Sequence, residues 1–366
     1  MSHDWLLVET LGSEPVVVAD GRQTRNLIPI SVFLRRSPDL MAIQTAISET
    51  VAAGEAMSTI TPRNDRVIRT EPVVMSDGRV HGVHVWIGPL GTEPPERMVP
   101  GPLKWDLTRG IATHTPESIY NSGRDPSTEH VHGRTLADDM PRSLNPNESK
   151  ALSMAISAEP GMKLCSTWTL TDYQGETISV GFVARAAVET QDDGSERLIC
   201  RAMNWRAEPE GPVLPPDHLA ERILDGQALP GVHRALVDPG HWTLLKWLDE
   251  PPGFFDWHAH EAGKESVNPA DALHMARMTL EYTNGATSGV LRLRTHEGGW
   301  TPVHVTVNRI ELEPDTYAAL VTLRLPTEEE LSLVEFTDDD DSAGKKSRKS
   351  KRKKEKKDKK KRAKRG

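Results

Sequence analysis

The sequence predicts an α+β protein built from three similar modules and followed by a strongly basic tail. Proline clusters at 94–102 and 209–216 separate the modules. Because proline cannot donate an N–H inside a helix or a central strand, such clusters are typical of linkers. Between them the same order of strand, helix, hairpin and strand signals recurs. The expected regions are 1–98, 99–210, 211–330 and, for the tail, 331–366.

Each segment begins with signals for one strand and one longer helix. A tryptophan leads an apolar stretch at 5–8, 105–107 and 242–245, which predicts a first strand. Further along, Ser or Asn followed by proline predicts a helix start, because these side chains cap free N–H groups and proline fits the first turn. The capping residues are Ser37, Asn145 and Asn268.

The helix that follows should be amphipathic and of nearly constant length. Glycines at 16, 15 and 16 residues after the three prolines predict its end, at Gly54, Gly161 and Gly285. Apolar residues at helical spacing predict its buried face. They are Leu40, Ile43, Ile47 and Val51 in the first segment, Leu152 and Ile156 in the second, and Leu273 and Ala276 in the third.

A hairpin with a glycine turn follows every helix, at 77–78, 174–175 and 298–299. The first segment has 24 residues between its helix-ending glycine and its turn glycine, against 14 in each later segment. This longer insert predicts that the first module is a variant of the other two. Closing strands are predicted at 198–203 and 317–323.

This order of elements is that of a PAS-type module, in which an antiparallel sheet packs against helices and leaves a concave pocket. The segments 4–11, 66–75 and 242–250 also resemble a sensor-only family of mycobacteria and other actinobacteria. The resemblance covers residues 1–330. It implies a GAF-like first module, PAS-like second and third modules, and no attached effector domain. It implies no particular ligand and no catalytic residue.

The sequence contains no phosphate-binding loop, no kinase loops and no Gly-x-Ser-x-Gly elbow, so we expect no enzyme. Two cysteines, Cys165 and Cys200, are too few for a four-cysteine zinc site. His258 and His260 are candidate metal ligands, because residues two apart on a strand share a face. The alternative is a polar loop beside Trp257. No cofactor is identified.

Nine tryptophans against five phenylalanines favour indole rings that fill the cores, with the N–H bonded to a carbonyl. The alternative is that indole rings line a pocket for a small ligand of unknown identity. The candidate pocket residues are Tyr120, Trp168, Trp257 and Met275.

The tail reverses the charge of the chain. Residues 345–366 hold 16 of the 45 basic residues and two of the 53 acidic ones, so the rest of the chain carries a net charge of -22. Without aromatic or large aliphatic side chains, residues 342–366 are expected to be disordered and to bind polyanions. The residues assigned to this role are Lys345, Lys346, Arg348, Lys349, Lys351, Arg352, Lys353 and Lys354. Anionic lipid, solubility and contact with the acidic body are the alternatives.

These features together predict a cytoplasmic, non-enzymatic sensor or signalling scaffold. Its modules would bind small ligands or signalling proteins, with a homodimer as one arrangement, and its tail would contact nucleic acid or an anionic membrane surface. Neither a secretory signal pattern nor an apolar run of transmembrane length is present in the sequence. The alternative is a nucleic-acid-associated protein whose folded body mediates oligomerisation.

Overall fold

The computed structural model describes residues 4–63, 65–141, 143–145, 147–209, 219–259 and 264–333. Over these residues the chain forms three successive modules, each with its own antiparallel sheet flanked by helices. This architecture confirms the α+β class and the three modules in tandem. The proline after Asn145, His260 and the whole basic tail lie outside the described residues.

The first module has a six-stranded sheet in the order β3-β2-β1-β6-β5-β4. Its short strand β4 lies within the insert that lengthens this segment, and it pairs with β5 at the edge of the sheet. The interval from Gly54 to Gly78 therefore holds two strands, β4 and β5, but the sheet gains none, since three strands follow the long helix in every module. The elements are β1 (Leu6–Glu9), β2 (Val16–Asp20), β3 (Gln23–Pro29), α1 (Ile30–Phe33), α2 (Leu40–Ala53), β4 (Met57–Ile60), β5 (Arg66–Val74) and β6 (Val80–Pro89).

The second module also has six strands, in the order β10-β11-β12-β7-β8-β9. Its helices lie between β8 and β10 along the chain. The elements are β7 (Gly101–Asp106), β8 (Ile111–His114), α3 (Pro116–Asn121), β9 (His132–Arg134), α4 (Leu136–Asp139), α5 (Glu148–Ser157), β10 (Lys163–Thr171), β11 (Thr177–Thr190) and β12 (Glu196–Arg206).

The third module has five strands, in the order β14-β13-β17-β16-β15. Its elements are α6 (Leu219–Gly226), β13 (Val232–Asp238), β14 (Thr243–Trp247), a 3-10 helix (Pro269–Asp271), α7 (Ala272–Tyr282), β15 (Ala286–Arg294), β16 (Trp300–Glu313), β17 (Thr316–Arg324) and α8 (Glu328–Ser332). In all three modules the first strand lies beside the last strand in the middle of the sheet, so the three share one topology.

Several local expectations are confirmed. Helix α2 ends at Gly54, which has a left-handed φ of 68° and whose N–H donates to Thr50 O. The three hairpin turns each place a glycine at positive φ, Gly78 at 80°, Gly175 at 86° and Gly298 at 81°. Glycine adopts left-handed backbone without a steric cost, so the glycines in the sequence are enough to locate these turns. Asn268 caps its helix as expected, accepting from Ala270 N–H.

The expected first strands of the second and third modules are wrong in position, although β7 holds Trp105 and Asp106 and β14 begins at Thr243. In the second module the strand already begins at Gly101, where a side chain would collide with the backbone of Ser118. In the third module β13 precedes the expected strand, and Trp242 lies in the turn before β14 with a left-handed φ of 56°.

The constant helix length and the third buried face are wrong as well. Helices α2, α5 and α7 have 14, 10 and 11 residues. Helix α5 ends at Ser157, three residues before Pro160, and proline disfavours helical backbone at the residue that precedes it. On α7 the buried residues are Met278 and Tyr282. The two expected residues are exposed instead, Leu273 to 85%. A 3-10 turn precedes the helix.

The first and second modules pack sheet against sheet. One apolar cluster joins Leu7 and Val18 of the first module to Val183, Met203 and Trp205 of the second. The Met203 methyl fills the space where Gly82 lacks a side chain, since a Cβ there would lie 2.7 Å from it. The two sheets therefore bury their faces on each other.

Polar groups cross this interface around His81, which is fully buried. Arg201 Nη1 donates to His81 Nε2 at 3.1 Å, and His81 Nδ1 lies 2.9 Å from Ala202 O. Because a guanidinium only donates, Nε2 must accept and the ring proton is on Nδ1, which donates to the carbonyl. Arg201 also makes a two-pronged ion pair with Glu189 and contacts Asp77. The interface thus requires a neutral His81.

The structure also divides into two compact units. One comprises Met1–Pro251 with Val307–Thr322, so it holds the first two modules together with β13 and β14. The other comprises Pro252–Thr306 and the described residues after Thr322, including α7, β15 and α8. Among the described residues, no helix has the length and apolar character needed to cross a membrane.

Acid should weaken the pairing of the first two modules. Burial, reinforced by the charge of Arg201, lowers the pKa of His81 to about 4 from 6.5. The unfolded chain therefore binds this proton first, and stability is lost as the pH falls from about 6.5 to 4, by up to about 3 kcal/mol. In urea titrations across this range, His81→Gln should lose less stability than the wild type. His84, whose pKa burial lowers to about 3, is present in both proteins. Parallel pH profiles would contradict the assignment.

Candidate functional site

The second module encloses an apolar cavity of about 90 Å³ between its sheet and its helices. Strands β7, β8, β10, β11 and β12 supply one wall, and α4 and α5 supply the other. The apolar side chains that line it include Leu103, Met154, Leu164, Trp168, Phe182, Ala184, Cys200 and Ala202. The Trp168 and Phe182 rings meet edge to face, with their centroids 4.7 Å apart.

Strand alternation explains why these residues face the cavity. Phe182 and Ala184 on β11 line it, whereas the residue between them, Val183, packs against the first module. On β12, Ala202 lines the cavity and Met203 faces the first module. Successive side chains of a strand point to opposite faces, so one sheet serves both purposes. Small residues at the cavity positions leave the space open.

A network of polar side chains closes one end of the cavity around Asp139. Its Oδ2 accepts from Trp105 Nε1 at 3.1 Å and lies 2.7 Å from His114 Nε2, while its Oδ1 accepts from Arg134 Nε at 2.9 Å. Ser118 Oγ lies 3.0 Å from the other ring nitrogen of His114. Helix α4 ends at Asp139, and a Thr135 capping box fixes its start, so a single helical turn positions the carboxylate.

Charge, rather than burial, decides the ionisation of Asp139. Burial alone would raise the pKa of this carboxyl. The charges and hydrogen bonds of His114 and Arg134 outweigh that effect and hold its pKa well below the usual range. Burial dominates at Cys200, where it raises the pKa of the thiol to about 12. The site thus holds an ionised, fully bonded carboxylate and a protonated, unreactive thiol.

A polar recess of about 510 Å³ lies against the same end of the cavity. Ser122, Asp139, Pro141 and Leu170 line both spaces, so these four side chains form the partition between them. The recess is otherwise bordered by polar groups such as Arg124 and Tyr173. An elongated ligand therefore finds apolar and polar surroundings side by side.

Of the sequence-predicted pocket residues, Trp168 lines the cavity. Tyr120 lies on α3, is 51% exposed, and packs its ring under the Arg206 guanidinium at 4.8 Å, away from the cavity lining. Trp257 and Met275 belong to the other compact unit. There Trp257 stacks on the exposed His258, with ring centroids 3.5 Å apart, and Met275 is half-buried on α7.

Sequence reasoning missed the residues that define the cavity. The alternation of small side chains at Ala184, Cys200 and Ala202 was a usable signal, whereas the meeting of His114 with Asp139 depends on tertiary structure. His260 lies outside the described residues, so the proposed histidine pair is untested. Elsewhere in the described chain, no three His, Cys, Asp or Glu side chains are grouped to hold a metal ion.

Comparison with known proteins identifies the family. Three sequence models match in tandem: Rv3651-like N-terminal over 4–96, Rv3651-like middle domain over 99–207, and Rv3651-like C-terminal domain over 217–334. A crystal structure of an uncharacterized protein from Mycobacterium tuberculosis is 57% identical, covers 90% of this chain and 98% of its own, and superposes with a TM-score of 0.82. The chain belongs to the Rv3651-like family. The expectation of a mycobacterial three-domain family is thereby confirmed.

Two further solved structures resemble this Rv3651-like chain only remotely. A sensory box histidine kinase/response regulator from Burkholderia thailandensis is 11% identical, with coverage of 28% and 74% and a TM-score of 0.20. An RNA-binding light-oxygen-voltage receptor is 10% identical, with coverage of 62% and 95% and a TM-score of 0.22. Such scores carry no argument about fold or function. No curated protein sequence matches the chain.

Removing the charge of Asp139 should loosen the helix side of the cavity. Asp139→Asn removes one of the two carboxylate partners of the nearly buried Arg134, the other being Glu129, and also the charge beside His114, which should cost about 2 kcal/mol of unfolding free energy. Trp105→Phe is the matched control, since it removes one hydrogen bond to the same carboxylate and should cost about 1 kcal/mol. Urea unfolding at neutral pH measures both. Equal losses would show that the charge of Asp139 contributes nothing beyond one hydrogen bond.

Proposed function

We propose that this Rv3651-like protein is a non-enzymatic sensor or signalling scaffold whose second module binds a small, largely apolar molecule. The observation that carries the proposal is the cavity between sheet and helices, lined mainly by apolar side chains of the second module. Concave apolar pockets with a few converging polar groups are the usual form of a ligand site.

The topology supports a description of the modules as PAS-like. In each module the first strand lies beside the last, and the long helix comes just before the last three strands. This is the element order expected for a PAS-type module. A GAF-like first module is part of the proposal, but its sheet has the same strand order as that of the second module, so the strand count does not distinguish the two. Partner signalling proteins, a homodimer and a cytoplasmic location remain part of the same proposal.

The size and lining of the cavity define the class of ligand. Apolar cavities of about 150 Å³ lined by Leu, Ile and Phe stay dry and take up benzene or xenon. The present cavity is smaller and similarly lined, so its occupant should have few non-hydrogen atoms and no charge within the cavity. Any polar end would extend past Asp139 and Leu170 into the adjoining recess.

The chemistry of the site supports binding in preference to catalysis. A nucleophilic cysteine needs its thiolate form, and the raised pKa of Cys200 opposes that form. A general base needs a free lone pair near the substrate, and Asp139 engages His114, Trp105 and Arg134 instead. Both observations favour a role in which the ligand is bound and released without chemical change.

Xenon tests the cavity directly. Under xenon pressure, the methyl resonances of Ala184, Ala202 and Met154 should shift in a saturable manner. Ala184→Leu fills the cavity and should abolish these shifts. Val183→Leu changes the next residue, which packs against the first module, and should retain them. Unshifted methyl resonances in the wild-type protein would overturn the proposed binding site.

A second candidate function, polyanion binding, follows from the charge of the tail. The block at 345–366 carries a net charge of +14, and each phosphate that it neutralises releases counterions. No aromatic side chain interrupts the block, so base stacking is absent and binding should be independent of sequence. This property would localise the sensor or, under the alternative function, make it a nucleic-acid-associated protein.

A variant without residues 342–366 should lose affinity for a DNA duplex by at least about tenfold in moderate salt. For the full chain, the logarithm of affinity should fall linearly with the logarithm of salt concentration. A tail of the same length with every Lys and Arg replaced by Gln is the matched control and should behave as the deletion does. Vesicles containing phosphatidylserine measure the competing lipid interaction. Unchanged DNA affinity after the deletion would exclude the tail as the binding element.

A further inference from the structure

A buried lysine of the third module lies against the helix wall of the cavity. Lys246 on β14 is fully buried and ion-paired with Glu148, in the first turn of α5. Its ammonium also donates to Ser143 O at 3.1 Å, in the connection between α4 and α5. A charge with a side chain only 1% exposed needs such partners, because burial removes its hydration.

Apolar contacts surround this ion pair. Leu236 and Leu245 of the third module pack with Leu152 of α5 and Met140 after α4 in one cluster. Ser149 Oγ donates to Glu313 on β16 at 2.6 Å, which adds a polar contact at the same helix. All these residues belong to one compact unit. The outer side of the α4–α5 segment is therefore covered by the sheet of the third module.

The inner side of the same segment lines the cavity. Leu136 and Met140 from α4 and its end, and Ala151, Met154 and Ala155 from α5, all contribute to the lining. Leu136, Met140, Ala151 and Ala155 belong as well to the apolar cluster shared with the third module. The wall is one helical layer thick, so a displacement on one side must be accommodated on the other.

We infer that the third module regulates the ligand site of the second, with Lys246 as the positioning residue that holds the α4–α5 segment against the cavity. This inference rests on the proposed function, because it treats the cavity as a binding site. Coupling between two sites is reciprocal, so occupancy of the cavity must also change the stability of β14. The element that regulates the ligand site is therefore the third module of the same chain.

The first experiment removes the ion pair and measures hydrogen exchange. Lys246→Met alone leaves the buried Glu148 carboxylate without its cationic partner, although the Asn145 N–H still donates to it, and is expected to unfold the segment. The informative protein is therefore the double variant Glu148→Gln/Lys246→Met. Amides of α4 and α5 should exchange at least about fivefold faster than in the wild type. Amides of α2 in the first module should exchange at the wild-type rate. Unchanged exchange in α5 would overturn the inference.

The second experiment acts from the cavity and needs no ligand. Ala184→Leu, which fills the cavity from the sheet, should change the exchange of the β14 amides at 243–247 by at least about fivefold. Val183→Leu, on the opposite face of the same strand, should leave them unchanged. A response of β14 without xenon uptake by the wild type would reject the proposed ligand site and retain the coupling. Xenon uptake without a response of β14 would retain the site and reject the coupling.

Discussion

The sheet of the second module is buried on both faces, and the other features of the chain depend on this arrangement. One face packs against the first module through Met203, and the other lines the cavity through Ala202. The strand that carries them, β12, is buried over seven consecutive residues instead of at alternate ones. Such a strand must accommodate its polar side chains internally. Arg201 therefore acquires the carboxylates and the neutral His81, and Asn204 donates to Ser118 O at 2.9 Å.

The same arrangement makes the second module an intermediary. Its sheet contacts the first module and its α4–α5 segment contacts the third, with the cavity enclosed between those two surfaces. A molecule in the cavity would press on both at once. The two sides differ in chemistry, however: a neutral histidine is required on the sheet side, whereas a full ion pair is buried on the helix side. Acidity would consequently act on the sheet side alone, whereas ligand occupancy would act on both sides.

Local chemistry made much of the fold predictable. Left-handed glycines set the end of α2 and the three hairpin turns, and such positions need only the nearest residues to specify them. Trp242 shows where local patterns fail. The apolar run at 242–245 predicted a strand, but Trp242 itself lies in a turn with left-handed backbone. The cavity was less accessible to prediction, since it arises where five strands and two helices meet. Lys246 and Glu148 are 98 residues apart, and no local pattern distinguishes a buried lysine from an exposed one.

The shared strand order has a consequence for how the protein is made. In every module the first strand pairs with the last, so β1 has no β6 to pair with until about 80 further residues have been synthesised. At roughly 5–20 residues per second, that interval lasts about 4–16 s. During it the apolar β1 segment Leu6–Glu9 has only β2 as a sheet neighbour. During synthesis each module in turn thus passes through an interval in which its first strand lacks its last strand as a partner and is open to aggregation.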